Sequence, residues 1–168
     1  MSGFYKFSPI KDTDTLLNAA SYVIKELGAL SKQLLGSELK VSSVKLFAHY
    51  PEEYEDLKKM LQSLGESTFE TYTSSYVRLH KPIVVDGQTV ELLGIRIPDP
   101  YRSQVGCGDY AIGEDFASFR EKHIVDDDPT KFIRKAVGHT LNMIELWHPD
   151  TDVLGYVLAP ESEWAEKK

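Results

Sequence analysis

The chain has 168 residues, of which 42% are hydrophobic and 27% are charged, a composition that indicates one soluble globular domain and excludes a disordered protein. Its formal net charge of −7 excludes nucleic acid as an expected partner, because contact with phosphates requires a basic face. No apolar run reaches the roughly 20 residues of a membrane helix, the N-terminus lacks a signal-peptide pattern, and the single cysteine, Cys107, fits a reducing compartment, so we expect a cytoplasmic protein with no membrane partner.

Residues 12–35 are predicted to form an N-terminal helix. Asp12 or Thr13 is a suitable N-cap, and Gly36 ends the helix. Apolar residues recur between them at helical spacing, namely Leu16, Ala20, Val23, Leu27, Leu30 and Leu34. We expect this apolar stripe to be core, and the alternative is a docking surface for a partner protein.

Residues from about 40 to 100 are predicted to form a first module of one strand, one helix and three strands. Alternation predicts the first strand, and Pro51 and Gly65 bound the helix. Asp86-Gly87 is a hairpin turn signal between the last two strands. The four predicted strands are Lys40 to Tyr50, Ser67 to Thr73, Ser75 to Lys81 and Thr89 to Ile97.

Residues from about 107 to 158 are predicted to form a second, shortened module. Its elements are a strand from Asp109 to Ile112, one or two helical turns at Asp115 to Lys122, and a strand from Leu141 to His148. Lys131 to Val137 fits a helix or a strand, and Asp152 to Leu158 fits a short final helix or an edge strand.

Two of the predicted strands end in the same dipeptide. The stretch from Leu92 to Asp99 and the stretch from Met143 to Asp150 both alternate in polarity and both stop at Pro-Asp, where proline removes a ladder donor. This similarity indicates two repeated halves, and a ligand is expected to bind between them.

The order and spacing of these elements resemble the vicinal-oxygen-chelate superfamily of glyoxalase and bleomycin-resistance proteins, and within it the YecM-like proteins. The closest local matches are Arg78-Leu79-His80-Lys81-Pro82 and Trp147-His148-Pro149, and the resemblance extends from about residue 12 to 158. It implies an α+β fold in which paired βαβββ-type modules form a curved mixed sheet around a cleft, with an added N-terminal helix. Because that superfamily pairs modules within one chain or between two, a homodimer is left open.

The metal ligands of the superfamily are largely missing here. YecM-like chains carry His on the two opening strands, where this chain has Ser43 and Asp109. Alignment of the two Pro-Asp ends places Gly94 opposite Glu145, and another register of the family places Arg96 there. Neither Gly nor Arg binds a divalent ion, so we expect no cofactor. The alternative is a divalent metal held by Glu145, Asp109 and His80, or with His49 in place of His80.

Strand alternation places a set of charged and aromatic side chains in the cleft. In our interpretation Arg96 and Arg78 hold a carboxylate or phosphate, and Trp147 and Phe47 flank its organic part. His80 and Glu145 are the candidate catalytic residues, for proton transfer. The alternative is that the cations pair internally with carboxylates. The candidate ligand-binding residues are Lys45, Phe47, Arg78, His80, Arg96, Asp109, Glu145 and Trp147.

These observations favour a small-molecule binding protein for an anionic ligand, with a degenerate vicinal-oxygen-chelate cleft. One alternative is a divalent-metal-dependent lyase, isomerase or dioxygenase of the same superfamily. Another is a protein-interaction module that uses the N-terminal helix or a sheet edge. The sequence leaves open whether the protein is an enzyme.

Overall fold

The computed structural model describes residues 10–99, 101–126, 128–136 and 142–160. The helices in these ranges are α1 (Thr13–Leu35), α2 (Pro51–Leu64) and α3 (Phe116–His123). The strands are β1 (Lys40–Phe47), β2 (Gly65–Glu70), β3 (Ser74–Val85), β4 (Gln88–Arg96), β5 (Gly106–Ala111), β6 (Ile133–Lys135), β7 (Met143–Leu146) and β8 (Val153–Leu158). None of these three helices is long and apolar enough to span a membrane.

All the described strands join one mixed sheet in the order β2-β3-β4-β1-β5-β8-β7-β6. The first module is β1-α2-β2-β3-β4, in which β1 pairs in parallel with β4. The second module, β5-α3-β6-β7-β8, repeats this arrangement with β5 parallel to β8. Antiparallel pairing of β1 with β5 joins the modules. The predicted α+β fold, a curved mixed sheet built from two βαβββ units after an N-terminal helix, is confirmed.

Helix α1 lies where the sequence predicted it. The Asp12 side chain accepts a hydrogen bond from the Thr15 amide at 2.8 Å, and Gly36 ends the helix with a left-handed φ of 82°. The helix packs on strands of both modules. Its apolar stripe is core rather than an exposed docking surface: Leu16, Ala20, Val23, Leu27 and Leu30 are fully buried, and Leu34 is partly buried against them.

The main hydrophobic core lies between the helices and one face of the sheet. It combines α1 and α2 residues such as Leu27 and Leu57 with strand residues such as Leu93 and Ile144. Full burial of one such side chain contributes about 1.5–3 kcal/mol. This core fixes which face of every strand is turned toward the helices, and therefore which side chains lie on the opposite face.

The strand bounds in the first module differ from the prediction. β1 ends at Phe47 because Tyr50 becomes the extended N-cap residue before Pro51 of α2. β2 begins directly at Gly65, and β3 runs on to Val85. The Asp86-Gly87 turn is confirmed, with positive φ angles of 48° and 81°.

The topology of the second module differs from the prediction in its closing strand. The predicted strand from Leu141 to His148 is β7 (Met143–Leu146), with Leu141 outside the described residues, and β7 is not the closing strand. The closing strand is β8, an interior strand between β5 and β7, so the prediction of a final helix or edge strand for this segment is wrong. The counterpart of β4 is thus β8, and the alignment of Gly94 with Glu145 is wrong too. Every residue of β8 is buried, which removes the alternation that marks a half-exposed strand.

The remaining segments of the second module agree more closely with the prediction. Helix α3 follows Asp115, whose side chain accepts from the Ser118 amide at 2.9 Å. β5 begins at Gly106, three residues before the predicted start at Asp109. The segment from Lys131 to Val137, whose pattern fits a helix or a strand, contains β6, which pairs with β7. Its predicted end, Val137, lies outside the described residues.

Candidate functional site

The candidate site lies on the sheet face turned away from α1 and α2, which we call the cleft face. Because strand side chains alternate, residues paired across neighbouring strands share a face. The register places Lys45 beside Gly94 and Cys107, Asp109 beside Ser43 and Tyr156, and Glu145 beside Tyr156 and Arg134. Side chains of both modules therefore meet there.

A second, smaller hydrophobic cluster forms the apolar part of the cleft face. Trp147 packs against this cluster, and Phe47 belongs to it. The two aromatic residues predicted to flank an organic ligand are thus parts of one apolar surface, to which each module contributes one of them. The buried members are Phe47, Cys107, Met143, Leu154, Tyr156 and Leu158.

Two arginines share one carboxylate after the end of β4, and one of the arginines lies against Phe47. Arg96 Nη1 is 3.3 Å and Arg102 Nε is 3.5 Å from the same oxygen, Oδ2 of Asp99. The guanidinium carbon of Arg96 lies 5.3 Å from the centroid of the Phe47 ring, a cation–π distance. All three charged side chains are only partly exposed, at 19% for Arg96, 26% for Arg102 and 25% for Asp99. We call these three residues the arginine pair and its carboxylate.

The ionisation of Asp99 reflects this arrangement. Desolvation by burial raises the pKa of Asp99, but the Tyr101 amide and the two arginines outweigh it and hold the pKa below its usual value. The Tyr101 amide donates to Oδ1 at 3.0 Å, which leaves Oδ2 for the arginines. Asp99 is therefore a charged carboxylate at neutral pH, and it provides one negative charge for two positive ones.

Lys45 and Asp109 occupy the centre of the cleft face. Lys45 Nζ lies 5.4 Å from the centroid of the Tyr76 ring. Asp109 Oδ2 accepts a hydrogen bond from the Ser43 hydroxyl at 2.8 Å. A hydrogen bond thus joins Ser43 to Asp109 across the junction of the two modules. These are the two positions at which the resemblance led us to expect His.

Three cations of the cleft face act on the buried thiol of Cys107. Burial raises the pKa of the Cys107 thiol to about 11, while Lys45, Arg96 and Arg102 act in the opposite direction. The three cations are therefore close enough to act on one buried atom. The thiol itself is protonated at neutral pH, which makes it a poor nucleophile.

The carboxylate of Glu145 is not free but is bound by Arg134 and Tyr156. Its Oε1 accepts from Arg134 Nε at 2.9 Å and Nη2 at 2.6 Å, and its Oε2 accepts from the Tyr156 hydroxyl at 2.9 Å. The Arg134 guanidinium also lies 4.5 Å from the centroid of the Trp147 ring. Glu145 is 4% exposed, so this is a buried, hydrogen-bonded ion pair.

The residues proposed as an alternative metal set do not form a metal site. Within the described ranges, no group of three or more His, Cys, Asp or Glu side chains could hold a metal ion. His80 is exposed on β3, and β4 and β1 separate it from Asp109 on β5. His49 turns to α2, where its Nδ1 lies 2.8 Å from Glu53 Oε1. The donor set of Glu145, Asp109 and His80 therefore does not fit a divalent ion.

Arg78 does not accompany Arg96, although the predicted anion pocket combined the two. It is exposed on β3 and forms an ion pair of 2.9 Å with Glu91 of β4. The guanidinium that accompanies Arg96 belongs instead to Arg102, which lies in the loop before β5, where strand alternation makes no prediction. Arg134 was missed because its segment fitted a helix as well as a strand. An arginine close to the predicted Pro-Asp end is the only signal that could have indicated Arg102.

Comparison with known proteins bears on the fold. Neither a protein-family model nor a curated protein matches this chain. A solved structure described as "Structural Genomics, Protein EC4020" is similar with a TM-score of 0.64, at 15% sequence identity, over 100% of this chain and 98% of that chain. At this identity the likeness concerns the fold alone, and the fold is shared over the whole length of both chains.

Proposed function

We propose that the protein binds a small organic anion on the cleft face, with its carboxylate or phosphate group held by the arginine pair. One observation carries this proposal: two guanidinium groups share a single oxygen of Asp99, at 3.3 and 3.5 Å. Charge-assisted hydrogen bonds are usually about 2.7–2.9 Å long. Both contacts are longer than that, so neither guanidinium is fully satisfied by Asp99.

The charge balance supports an anion at this place. Within the described residues, the arginine pair carries two positive charges against the one negative charge of Asp99. This is a local excess of positive charge in a chain whose formal net charge is −7. A guanidinium presents two parallel N–H donors that match a carboxylate or phosphate. An anion at the arginine pair would therefore complete hydrogen bonds that Asp99 leaves unmade.

The neighbouring apolar cluster suits the organic part of such a ligand. The Phe47 ring, which lies against the Arg96 guanidinium, belongs to the same buried apolar cluster as Met143, Leu154 and Leu158. Binding sites for small molecules combine an apolar lining with a few placed polar groups. We infer a binding protein without turnover, derived from the vicinal-oxygen-chelate arrangement and similar to YecM-like proteins, in which Lys45 and the arginine pair take the place of metal chemistry.

The two alternative functions lack a supporting observation. The donor set of a metal-dependent enzyme is dispersed, and its carboxylate Glu145 is bonded to Arg134 and Tyr156. The apolar stripe of α1, which docking through the N-terminal helix would expose, is core.

The test is a panel of phosphate, mono-, di- and tricarboxylates screened by thermal shift on the full chain. At a concentration about 100 times its Kd, a ligand adds about 2.7 kcal/mol to the stability of the folded protein. Arg96→Ala should weaken binding of the best anion about 10- to 100-fold, because about 1.5–3 kcal/mol of charge-assisted hydrogen bonding is lost. Arg78→Ala is the matched control, since this arginine is exposed and already paired with Glu91. Equal binding by wild type and Arg96→Ala would refute the proposal.

A further inference from the structure

The arginine pair has more hydrogen-bond donors than the fold uses. A guanidinium group carries five N–H donors and no acceptor. Within the described residues, the side-chain hydrogen bond of Arg96 goes to Asp99 at 3.3 Å, and Arg102 reaches the same oxygen at an ion-pair distance of 3.5 Å. Both arginine side chains are mostly withdrawn from water, at 19% and 26% exposure. Donors held away from water without an acceptor are costly, so a bound acceptor would stabilise them.

The position of Asp99 shows which head group fits between the two guanidinium groups. Both arginines approach a single oxygen of this planar carboxylate, and the Tyr101 amide donates to its other oxygen at 3.0 Å. The carboxylate is charged at neutral pH and compensates one of the two positive charges of the pair. A ligand with a single negative charge would neutralise the other. A phosphate ester, which carries roughly −1.5 to −2 charges at neutral pH, would leave an excess of negative charge next to Asp99.

The arginine pair lies beside apolar side chains of the cleft face. The Phe47 ring, whose centroid is 5.3 Å from the Arg96 guanidinium carbon, belongs to the smaller hydrophobic cluster together with Cys107. Burial raises the pKa of the Cys107 thiol, and both arginines of the pair are among the charges that lower it, so the pair is within electrostatic reach of the cluster. Lys45 and Asp109 also act on the pKa of this thiol, but in opposite directions. In the part of the chain that the structure describes, the cluster therefore offers hydrocarbon contacts and no second positive charge in excess.

We propose that the ligand is a monocarboxylate with an apolar body, whose single charge binds the arginine pair and whose hydrocarbon part packs against Phe47 and the neighbouring cluster. This inference rests on the proposed function and deepens it, because it names the ligand class of the same site. A second acidic group on the body would leave water for an apolar surface without a partner, which lowers affinity. Dicarboxylates and phosphates are therefore weaker ligands than a monocarboxylate of similar size.

The experiment is calorimetric titration of the full chain with acetate, butyrate and hexanoate, and with adipate and inorganic phosphate as the competing classes. Each buried CH2 group of the ligand should tighten binding about fourfold, which corresponds to about 0.8 kcal/mol per group. Hexanoate should therefore bind about tenfold more tightly than butyrate. It should also bind about tenfold more tightly than adipate, which has the same number of carbons and a second carboxylate.

The variant Phe47→Ala tests the contact with the hydrocarbon part of the ligand. It should lower the ratio of hexanoate to acetate affinity about tenfold, because it removes one wall of the apolar surface. Phe119→Ala is the matched control, since this ring is also buried but lies in the main core between the helices and the sheet, so the ratio should stay unchanged. If Phe47→Ala does not fold, the chain-length series on the wild type decides the inference.

The results that would overturn the inference differ in what they say about the proposed function. If acetate and hexanoate bind equally, or if adipate or phosphate binds at least as tightly as hexanoate, the ligand class is wrong, and loss of that binding in Arg96→Ala would show that the anion site stands. If folded Phe47→Ala keeps the full gain from chain length, the hydrocarbon part does not lie on this cluster. If the wild type binds neither the carboxylates nor phosphate, the inference and the proposed function both fail.

Discussion

The ion pair between Arg134 and Glu145 allows a sharp test of the role of Glu145. The sequence made this residue a candidate catalytic group and metal ligand, whereas the structure gives it two hydrogen bonds from Arg134 and one from Tyr156. The Glu145 side chain is 6% exposed and that of Arg134 is 23% exposed. Loss of the arginine therefore leaves a buried charge, whereas loss of the carboxylate charge leaves a guanidinium that reaches water.

This asymmetry predicts the outcome of a double-mutant cycle. Arg134→Met should lower the free energy of unfolding by about 3–5 kcal/mol, the cost of an uncompensated buried charge. Glu145→Gln, which keeps an acceptor for the Tyr156 hydroxyl, should lower it by only about 1–3 kcal/mol. In the double variant the buried charge is absent, so Glu145→Gln should restore about 2 kcal/mol to Arg134→Met.

Urea denaturation at neutral pH, read by circular dichroism, measures all four corners of the cycle. Arg78→Met is the control, because its pair with Glu91 is exposed at 56% and 53% and should contribute less than about 1 kcal/mol. If Glu145→Gln destabilises the Arg134→Met background further, or if the two changes are additive, Glu145 is not held by Arg134 as described and its role as a free carboxylate must be reconsidered.

Two other substitutions test the cleft face. Gly94→Ala should destabilise the protein by about 1–3 kcal/mol in urea denaturation, because the added Cβ would lie 2.8 Å from two carbons of the Tyr76 ring. An unchanged urea midpoint would show that the Tyr76 ring moves aside freely. Asp99→Asn should bind the anion about 3- to 10-fold more tightly in calorimetry, because it removes the charge that competes for the arginine pair. The pKa of Asp99 is lowered in the folded state, so its ionisation stabilises the fold fully above pH 3.8, the ordinary pKa of the group, and this stability is lost as the pH falls through the folded-state pKa. Asp99→Asn should therefore make the Tm depend less on pH in this acidic range, as measured by thermal melts.

Local signals in the sequence were sufficient for the first part of the fold. Asp12 caps α1 and Gly36 ends it, and the helical spacing of its apolar residues matches the buried stripe. The Asp86-Gly87 turn is equally local, because its two positive φ angles require residues that tolerate them. Each of these elements is determined by contacts within a few residues of chain.

The second module was harder because its signals are not local. The Pro-Asp dipeptides mark two strand ends, but Pro98 follows a closing strand and Pro149 follows the strand before it. The true closing strand, β8, is buried on both faces and so shows no alternation. Only the parallel pairing with β5 identifies it, and that pairing joins residues about 47 positions apart, such as Asp109 and Tyr156.

Only those residues of the candidate site that lie on regular strands could be predicted from the sequence. Alternation predicts the face that Lys45, Phe47 and Arg96 occupy, since all three lie on regular strands that pair in register. It makes no prediction for Arg102, which reaches Asp99 from a loop. It also says nothing of the order of the strands, and His80 on β3 is separated from Asp109 on β5 by β4 and β1.

The most direct test of an anion site at the arginine pair is an NMR titration of the wild-type chain that follows the arginine Nε–H resonances as a small carboxylate or phosphate is added. We predict saturable shifts at Arg96 and Arg102 with one common Kd, and no shift at the exposed Arg78. Small, unsaturable shifts spread over all arginines, or a saturable shift at Arg78 alone, would contradict an anion site at the arginine pair.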